Sequence, residues 1–343
     1  MIRPLRTVCH GRLAKLRSTL LMMAIGIACR DAQPVAAQKL VIAWTSVSAF
    51  NSPFWIMPEA GFYKQEGLDV DTIFILSSPT AAKATLAGDI AISAQNSQVV
   101  ADSGLAGGDL VSLGAVVNIV PFYMMATPEI KTIADLKGKS VGISRFGAAS
   151  DFGTRMFLAK HGIEANKDVA FVQIGGQPEI AAALSKKLIA AAAMSQPMAA
   201  VAEQQGARLL ANMVKDEIPF VHLSITSTRR FVKEHCPQAK AFLRAYARSM
   251  HFLYNRKEDT LKIFQKYTKV QDPKILEATL KYGYEFMEKI PFVKPAGFQV
   301  TLDEIARTNA KAKQAKPAQF YDNSLVQELV DEGFFSKLWG KTP

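Results

Sequence analysis

The sequence predicts an α/β protein of two lobes, each built on a sheet covered by helices. Between Lys39 and Thr228 short apolar runs alternate with helical stretches, and this order predicts parallel sheets with helices on their faces. Two long extended stretches, 110–127 and 219–228, are expected to cross between the lobes. With 343 residues, the chain is long enough for two sizeable cores.

Ten short apolar runs are predicted as strands. The first, Leu40–Trp44, is apolar throughout, as expected for a strand buried on both faces of a parallel sheet. The predicted strands lie near residues 40–44, 70–75, 90–93, 111–117, 122–126, 140–144, 169–173, 190–194, 208–211 and 221–226.

The predicted helices begin and end at residues that favour helix termini. The first starts at Pro53, is expected to kink or restart at Pro58, and stops at Gly67. Beyond Thr228 no strand is predicted, and amphipathic helices follow instead. They cover 240–255, 258–268, 272–290 and 324–339, with Asp272 and either Asn323 or Ser324 as N-terminal caps.

The two crossings divide the chain into three parts. Residues 39–123 and 223–343 are expected to form the first lobe, its second part mostly helical, and residues 124–222 the second lobe. Two extended segments would then act as a hinge, an arrangement that allows closure around a ligand.

Residues 1–37 have the order of regions typical of a signal peptide. Basic residues precede an apolar stretch, Leu20–Ala28, and the small residues Val35–Ala37 offer a cleavage site. A periplasmic protein is therefore expected. A lipid anchor at Cys29 is the weaker alternative, because Gly26 stands where a lipidation motif has leucine.

The charge of the chain favours a small anionic ligand over nucleic acid. Six basic residues and one acid leave with residues 1–37, so the formal net charge falls from +11 to +6. The remaining Lys and Arg are dispersed and form no basic run interleaved with aromatics, which disfavours nucleic-acid binding. A mild positive field suits an anion.

Four blocks of the sequence resemble the signatures of one protein family. They are AGFYKQEGLDV (60–70), TLAGDIAISAQNS (85–97), IADLKGKSVGIS with RFGAASD (133–151), and IAAALSKKLIAAAAMSQPMAAVAEQQGARLL (180–210). The DLKGK block is the most specific and the Ala-rich block the least. Together they resemble the nitrate/sulfonate/taurine-type ABC transporter substrate-binding proteins, the family that also holds the thiamine-pyrimidine-precursor proteins.

This resemblance covers about residues 39–260 and implies a fold, a partner and a ligand class. The implied fold is periplasmic-binding-protein type II-like, with two lobes joined by a two-segment hinge. The implied partner is an ABC permease in the inner membrane, with the binding protein itself a monomer. The implied solute is small and anionic or zwitterionic, from the nitrate, sulfonate, taurine, carboxylate or pyrimidine class.

The candidate ligand-binding residues lie in loops that follow predicted strands, where open α/β sheets bind ligands. In the loop 145–151, free N–H groups at a helix start attract anions, and Gly and Ala permit a close approach. The candidates are Ser48, Phe50, Asn51, Gln95, Asn96, Tyr123, Arg145, Phe146, Gly147, Ala148, Ala149, Ser150, Ser195 and Gln196.

Several candidates have plainer explanations that the residues alone leave open. Arg145 is either a bidentate clamp for an oxyanion or a solvent-facing side chain. Ser150 and Asn96 are also suitable helix caps. Gln95 is proposed to orient the ligand through its amide. Tyr123 is proposed as an aromatic wall or, alternatively, as part of the core.

The sequence carries no recognised catalytic or cofactor motif. Its five histidines are far apart without HExxH spacing, and there is no GxGxxG or GxxxxGK[ST] segment. The one GxSxG match, 138–142, leads into a predicted strand, whereas a nucleophile elbow lies between a strand and the helix that follows it. We therefore expect a non-enzymatic solute-binding protein without metal or cofactor. One alternative is a thiamine-pyrimidine-precursor synthase, whose CCCFC segment is absent here. The other is a periplasmic sensor that works without a transporter.

Overall fold

The structure, a computed structural model, describes residues 39–340. The predicted signal peptide, residues 1–37, and the lipid-anchor alternative at Cys29 lie outside the described residues.

Ten strands form two five-stranded sheets in this part of the chain. They lie close to the ten predicted positions. Their bounds are β1 Leu40–Trp44, β2 Val70–Phe74, β3 Ile92–Gln95, β4 Leu110–Ile119, β5 Tyr123–Ala126, β6 Ser140–Ile143, β7 Ala170–Gln173, β8 Ala191–Met194, β9 Arg208–Asn212 and β10 Pro219–Thr228.

Both sheets are mixed, not parallel as predicted. The first has the strand order β2-β1-β3-β10-β4 and the second β7-β6-β8-β5-β9. In the first sheet β1, β2 and β3 are parallel, whereas β10 runs antiparallel to both β3 and β4. In the second, β5 runs antiparallel to β8 and β9. The first sheet is mixed because the chain leaves it along β4 and returns along β10, which lies beside β4 and runs in the opposite direction.

Two connecting segments join the sheets. Residues 120–122 lead from β4 to β5, and residues 213–218 lead from β9 back to β10. Tyr123 is therefore the first residue of the second sheet, and His222 lies within the returning strand of the first. The chain passes from one sheet to the other slightly before each predicted lobe boundary. The division into lobes at 123/124 and 222/223 stays a prediction.

Fourteen α-helices surround these sheets within residues 39–340. Their bounds are α1 Ser52–Glu59, α2 Phe62–Gln65, α3 Ser78–Ala87, α4 Ser97–Leu105, α5 Ala149–Lys160, α6 Gln177–Ser185, α7 Met198–Gln204, α8 Arg229–Glu234, α9 Cys236–Asn255, α10 Lys257–Thr268, α11 Pro273–Phe286, α12 Pro295–Ile305, α13 Ser324–Asp331 and α14 Phe334–Trp339. None of them is both long enough and apolar enough to span a membrane.

Two predicted helices are each split in two by a glycine. The first is broken at Gly61, whose φ of 74° is left-handed, while Pro58 lies inside α1 without ending it. The predicted helix 324–339 is likewise interrupted at Gly333, with a φ of 68°. Glycine adopts this conformation without the steric cost that a Cβ imposes.

Helix α9 of the helical tail is held against α1 and the end of α2 by both apolar and ionic contacts. Phe54 of α1 packs against Phe242 of α9, with ring centroids 6.0 Å apart. The nearly buried carboxylate of Glu66 accepts hydrogen bonds from Arg244 at 2.5 Å and Arg248 at 2.6 Å. These contacts fix α9 beside the segment that follows β1, which carries one wall of the site.

Helix α12, which the sequence did not predict, supports the returning strand. A Cβ added to Gly297 would lie 2.8 Å from the backbone nitrogen of Val221. The helix can therefore approach β10 this closely only because residue 297 is glycine. This contact fixes the part of β10 that carries His222.

Candidate functional site

A small cavity lies between the two sheets. It is at the carboxyl ends of two parallel strands of the first sheet and three parallel strands of the second. Its volume is about 50 Å³. The loops after β1, β2, β6, β7 and β8 supply most of its wall, and Phe122, His222 and Leu223 form the side next to the connecting segments. The lining residues are Thr45, Ser46, Ser48, Asn51, Leu76, Ser77, Ser78, Phe122, Ser144, Ala148, Ala149, Ser150, Gly176, Gln177, Ser195, His222 and Leu223.

The first-sheet wall is a loop held in place by its own polar groups. The N–H of Thr45 donates to Oδ1 of Asn51 at 3.2 Å, and Thr45 Oγ1 donates to the carbonyl of Ala94 at 3.3 Å. Ser48 caps a short 3-10 helix, Ala49–Asn51, by accepting from the N–H of Phe50. The loop is thus rigid where it faces the cavity.

The second-sheet wall is ordered in the same way. Ser150 Oγ accepts from the N–H of Ser144 at 3.0 Å and lies 2.8 Å from Ser144 Oγ. Gln177 Oε1 accepts from the N–H of Ser195 at 3.1 Å, and its Nε2 donates to the carbonyl of Ala193 at 3.5 Å. One glutamine therefore joins the loops after β7 and β8.

Three helix N-termini meet at this cavity. The cap positions are Ser77 for α3, Ala148 for α5 and Gly176 for α6, and in none of the three does the cap side chain accept a hydrogen bond from its helix. The first N–H groups of a helix lack intrahelical acceptors and carry a partial positive charge. The cavity wall therefore presents donors and positive potential without a cationic side chain.

Hydrogen bonds close the two sheets over the cavity. Ser195 Oγ donates to Ser48 Oγ at 2.9 Å, and the N–H of Ala49 donates to the carbonyl of Gln196 at 2.9 Å. On another side, Asn96 Nδ2 donates to the carbonyl of Gly147 at 3.3 Å. The structure thus shows the two halves in mutual contact around the cavity.

The predicted site residues divide into those that line the cavity and those that do not. The cavity brings together Ser48, Asn51, Ala148, Ala149, Ser150 and Ser195. Asn96 and Gln196 take part in the closing hydrogen bonds instead. Phe50 lies behind the cavity, in contact with the rings of His222 at 5.3 Å and Tyr282 at 4.8 Å.

Gln95 is buried behind the wall and braces α3. With its amide oriented to match the surrounding donors and acceptors, it donates to the carbonyl of Ser78 at 2.9 Å. It also accepts from the N–H of Ala82 at 3.0 Å and from Ser93 Oγ at 2.9 Å. Gln95 therefore fixes the first turn of a cavity-lining helix without lining the cavity itself.

Tyr123 does not line the cavity and packs against the core, which is the second of its two interpretations. Its ring packs against Tyr282, with centroids 5.4 Å apart, and the preceding residue, Phe122, lines the cavity. Successive side chains of an extended chain point to opposite faces, so only one of the two can face the ligand.

Arg145 and its two neighbours lie outside the cavity. Arg145 is exposed, and the N–H of Phe146 donates to Gln173 Oε1 at 2.9 Å. Phe146, which is 45% exposed, and Gly147 line a separate, more open cleft of about 990 Å³. The structure therefore offers no clamp by Arg145 on a ligand in the cavity.

Asp151, in the first turn of α5, is turned toward this outer cleft. Its carboxylate accepts from the N–H of Gly147 at 2.8 Å and from Arg155 Nε at 2.7 Å. Burial raises its pKa, although these two donors oppose the shift. The carboxylate is therefore occupied outside the cavity that α5 helps to line.

The sequence analysis missed several residues that line the cavity, and for some of them a sequence pattern could have revealed their position. Ser78 and Gln177 each stand before a proline, Pro79 or Pro178, at the start of a helix that follows a strand. That is the same pattern as Ser52 before Pro53, and it marks all three loops. His222 has no such signal, because it lies inside β10 and not in a loop before a helix, and β10 contains other polar residues such as Ser224 and Thr226.

The electrostatics of the cavity depend on helices and neutral groups. Among residues 39–340, those that line it include no Asp, Glu, Lys or Arg, and this part of the chain contains no cluster of His, Cys, Asp and Glu that would hold a metal ion. Burial lowers the pKa of His222 to about 3, so its ring is uncharged at neutral pH.

Comparison with known proteins gives a family and a fold. The model of the family described as NMT1/THI5 like matches residues 51–260, more than half of the chain. The chain is 21% identical over 271 residues to the "Putative binding protein YtlA" of Bacillus subtilis (strain 168), covering 77% of this chain and 80% of that protein.

Two solved structures share the architecture. One is the alkanesulfonate-binding protein SsuA from Xanthomonas axonopodis pv. citri bound to MOPS, with a TM-score of 0.67, 19% identity, and coverage of 81% of this chain and 95% of that chain. The other is the periplasmic nitrate-binding protein NrtA from Synechocystis PCC 6803, with a TM-score of 0.73, 15% identity, and coverage of 87% and 89%. The predicted periplasmic-binding-protein fold is confirmed.

Proposed function

Because this chain belongs to the NMT1/THI5-like family, we propose that it is an extracytoplasmic solute-binding protein for a small anionic or zwitterionic solute. It would capture the solute in the periplasm as a monomer and deliver it to the permease of an ABC importer in the inner membrane. The periplasmic location rests on the predicted signal peptide, and the transporter rests on the family.

The observation that carries the proposal is the meeting of three helix N-termini, none of them capped by its N-cap side chain, at one cavity. Ser77, Ala148 and Gly176 leave the first N–H groups of α3, α5 and α6 without a side-chain acceptor. An oxyanion supplies acceptors for such groups and is stabilised by the partial positive charge of the helix ends. The hydroxyl of Ser48, which accepts from Ser195, and the hydroxyl of Ser150 add further donors.

The size of the cavity favours a solute with a compact headgroup. One water-sized group needs roughly 10–15 Å³ of such space, so a cavity of about 50 Å³ holds only a few heavy atoms. A nitrate ion or a sulfonate headgroup meets this limit. The relatives NrtA and SsuA are named for nitrate and alkanesulfonate, which supports the same class of solute here.

The chemistry of the wall supports binding without turnover. Ser48 and Ser195 hydrogen-bond to each other, and His222 Nδ1 has no hydrogen-bond partner in the described part of the chain. A serine nucleophile needs an adjacent base held by a third group, and neither hydroxyl has that arrangement. We therefore propose that the protein is not an enzyme.

The proposal predicts one-to-one binding of an anion or zwitterion to the chain from residue 38 onward. We expect at least one of nitrate, methanesulfonate and taurine to bind by isothermal titration calorimetry, and an uncharged aminopyrimidine not to bind. At about 100 times its dissociation constant, such a ligand adds roughly 2.7 kcal/mol to the free energy of unfolding. Binding of the pyrimidine alone, or of none of these solutes, would contradict the proposal.

The matched control in this experiment is Arg145→Gln. Arg145 is exposed and does not line the cavity, so the variant is expected to bind the same solute as tightly as the wild type. Loss of binding in this variant would move the anion site to the outer end of the loop.

A further inference from the structure

Asn96 links the two halves of the molecule at a point outside the cavity. It follows β3 of the first sheet, and its Nδ2 donates to the carbonyl of Gly147, which lies in the second-sheet loop before α5. The two atoms are 3.3 Å apart, and Asn96 is fully buried. Neither residue lines the cavity. The contact can therefore act on closure without touching the solute.

A second hydrogen bond fixes the side chain of Asn96. Its Oδ1 accepts from the N–H of Val99 at 3.1 Å, so that Asn96 is also the N-terminal cap of α4. An amide carries an acceptor oxygen and a donor nitrogen on one carbon. The same side chain can therefore cap its own helix and direct a donor toward the opposite half.

The acceptor is held in place on the second-sheet side. The N–H of Gly147 donates to Asp151 Oδ2 at 2.8 Å, and the other oxygen of this carboxylate accepts from Arg155 Nε at 2.7 Å. Gly147 has a φ of 80°, a left-handed conformation that glycine adopts without steric cost. The turn at Gly147 and the anchor at Asp151 together present the carbonyl of Gly147 to Asn96.

The other two closing contacts cannot be separated from the ligand site. Ser48 and Ser195, which hydrogen-bond to each other, both line the cavity. Ala49 and Gln196, which form the second contact, are the next residues along the chain in each case. A substitution in either contact disturbs the cavity wall as well as closure, whereas the contact of Asn96 lies apart from that wall.

We propose that Asn96 is a positioning residue for solute binding: its hydrogen bond to Gly147 stabilises the closed state and thereby sets the affinity and the dissociation rate of every solute alike. The inference rests on the proposed function and adds a residue that regulates the same site from outside it. A group that favours the closed state without touching the solute changes the apparent affinity through the population of that state, and so by the same factor for each solute.

The test is Asn96→Ser, because serine also caps helices well but its shorter side chain does not extend to Gly147. Wild type and variant are titrated with nitrate, methanesulfonate and taurine by isothermal titration calorimetry. We expect the dissociation constant of each solute that the wild type binds to rise by the same factor, about fivefold, since one uncharged hydrogen bond is lost. Stopped-flow measurement should assign this change to faster dissociation, with the association rate constant little changed.

Asn309→Ser is the matched control. Asn309 also caps a helix, by accepting from the N–H of Lys311 at 3.1 Å, and this bond lies within its own segment. The control should bind like the wild type, and both variants should melt like it in circular dichroism, because each keeps a capping residue. If Asn96→Ser does not fold, the side-chain amide protons of Asn96 in the wild type provide the second readout. They should exchange with solvent more slowly at saturation with solute than without it.

Three outcomes would overturn the inference while leaving the proposed function intact. The first is an affinity that Asn96→Ser leaves unchanged. The second is a loss that differs severalfold between solutes or lies in the association rate, which would indicate direct contact with the solute. The third is exchange of the Asn96 amide protons that saturation does not slow. If the wild type binds none of the three solutes, the proposed function is wrong, and the inference fails with it.

Discussion

Ala148→Asp is expected to abolish anion binding while leaving the fold intact. Ala148 is 4% exposed, lines the cavity and occupies the N-cap position of α5 with extended dihedral angles, φ −75° and ψ 163°. An aspartate there caps the helix, which is typically worth about 0.5–2 kcal/mol of stability. The same carboxylate occupies the free N–H groups and stands beside the ligand's negative charge.

The size of this effect follows from the repulsion between the two charges. Unit charges about 4 Å apart interact by roughly 4 kcal/mol at an effective dielectric constant of about 20. We therefore expect the dissociation constant to rise at least a hundredfold, with the melting temperature unchanged or slightly raised. Calorimetry with the anion identified by screening measures the first quantity, and circular dichroism the second.

Ala148→Asn separates charge from volume. Asparagine has nearly the shape of aspartate and caps helices equally well, but it carries no charge. It is expected to weaken binding much less than aspartate. Equal affinities of the Asp and Asn variants would show that charge at the start of α5 does not matter, and the anion would then have to bind elsewhere.

Ser195→Phe is expected to prevent closure of the two sheets over the cavity. Ser195 is 2% exposed, and its Oγ lies 2.9 Å from Ser48 Oγ across the gap between the sheets. A phenyl ring has no room in this gap, nor in a cavity of about 50 Å³. Binding should fall below what calorimetry detects, because the two halves of the ligand site are held apart.

Ser195→Ala is the companion variant. It removes the hydrogen bond to Ser48 and adds no volume, so it should cost about 1 kcal/mol, or roughly a fivefold loss of affinity. If Ser195→Phe binds as well as Ser195→Ala, the ligand does not lie between these two residues.

The strands were predictable from the sequence because each is a short apolar run between turn residues. Their relative direction was not: β10 is buried along nearly its whole length, as a central parallel strand would be, although it runs antiparallel to both its neighbours. Apolar periodicity reports burial, and it carries no information on strand direction. Helix α12 was missed although the sequence carries its signals: Pro295 is its first residue, and Phe298, Leu302 and Ile305 recur at helical spacing.

Site residues that contribute through their backbone N–H groups could be predicted from the sequence. Residues that contribute through the direction of their side chains could not. Ala148, Ala149 and Ser150 line the cavity as expected, because a small-residue loop before a helix must expose N–H groups. Arg145, in the same loop, points to solvent, and no local pattern distinguishes that orientation from a clamp. His222 depends on β10 returning beside Phe122, a long-range contact that no local pattern reveals.

Closure of the two sheets around a bound anion is best tested by small-angle X-ray scattering on the purified protein, with and without the anion that calorimetry identifies. Hydrogen bonds between Ser48 and Ser195, Ala49 and Gln196, and Asn96 and Gly147 can form only when the two halves meet. A ligand that contacts both halves stabilises that closed state through its differential affinity. We expect the radius of gyration to fall on saturation in the wild type and to stay constant in Ser195→Phe. An unchanged radius in the ligand-saturated wild type would contradict binding between the sheets.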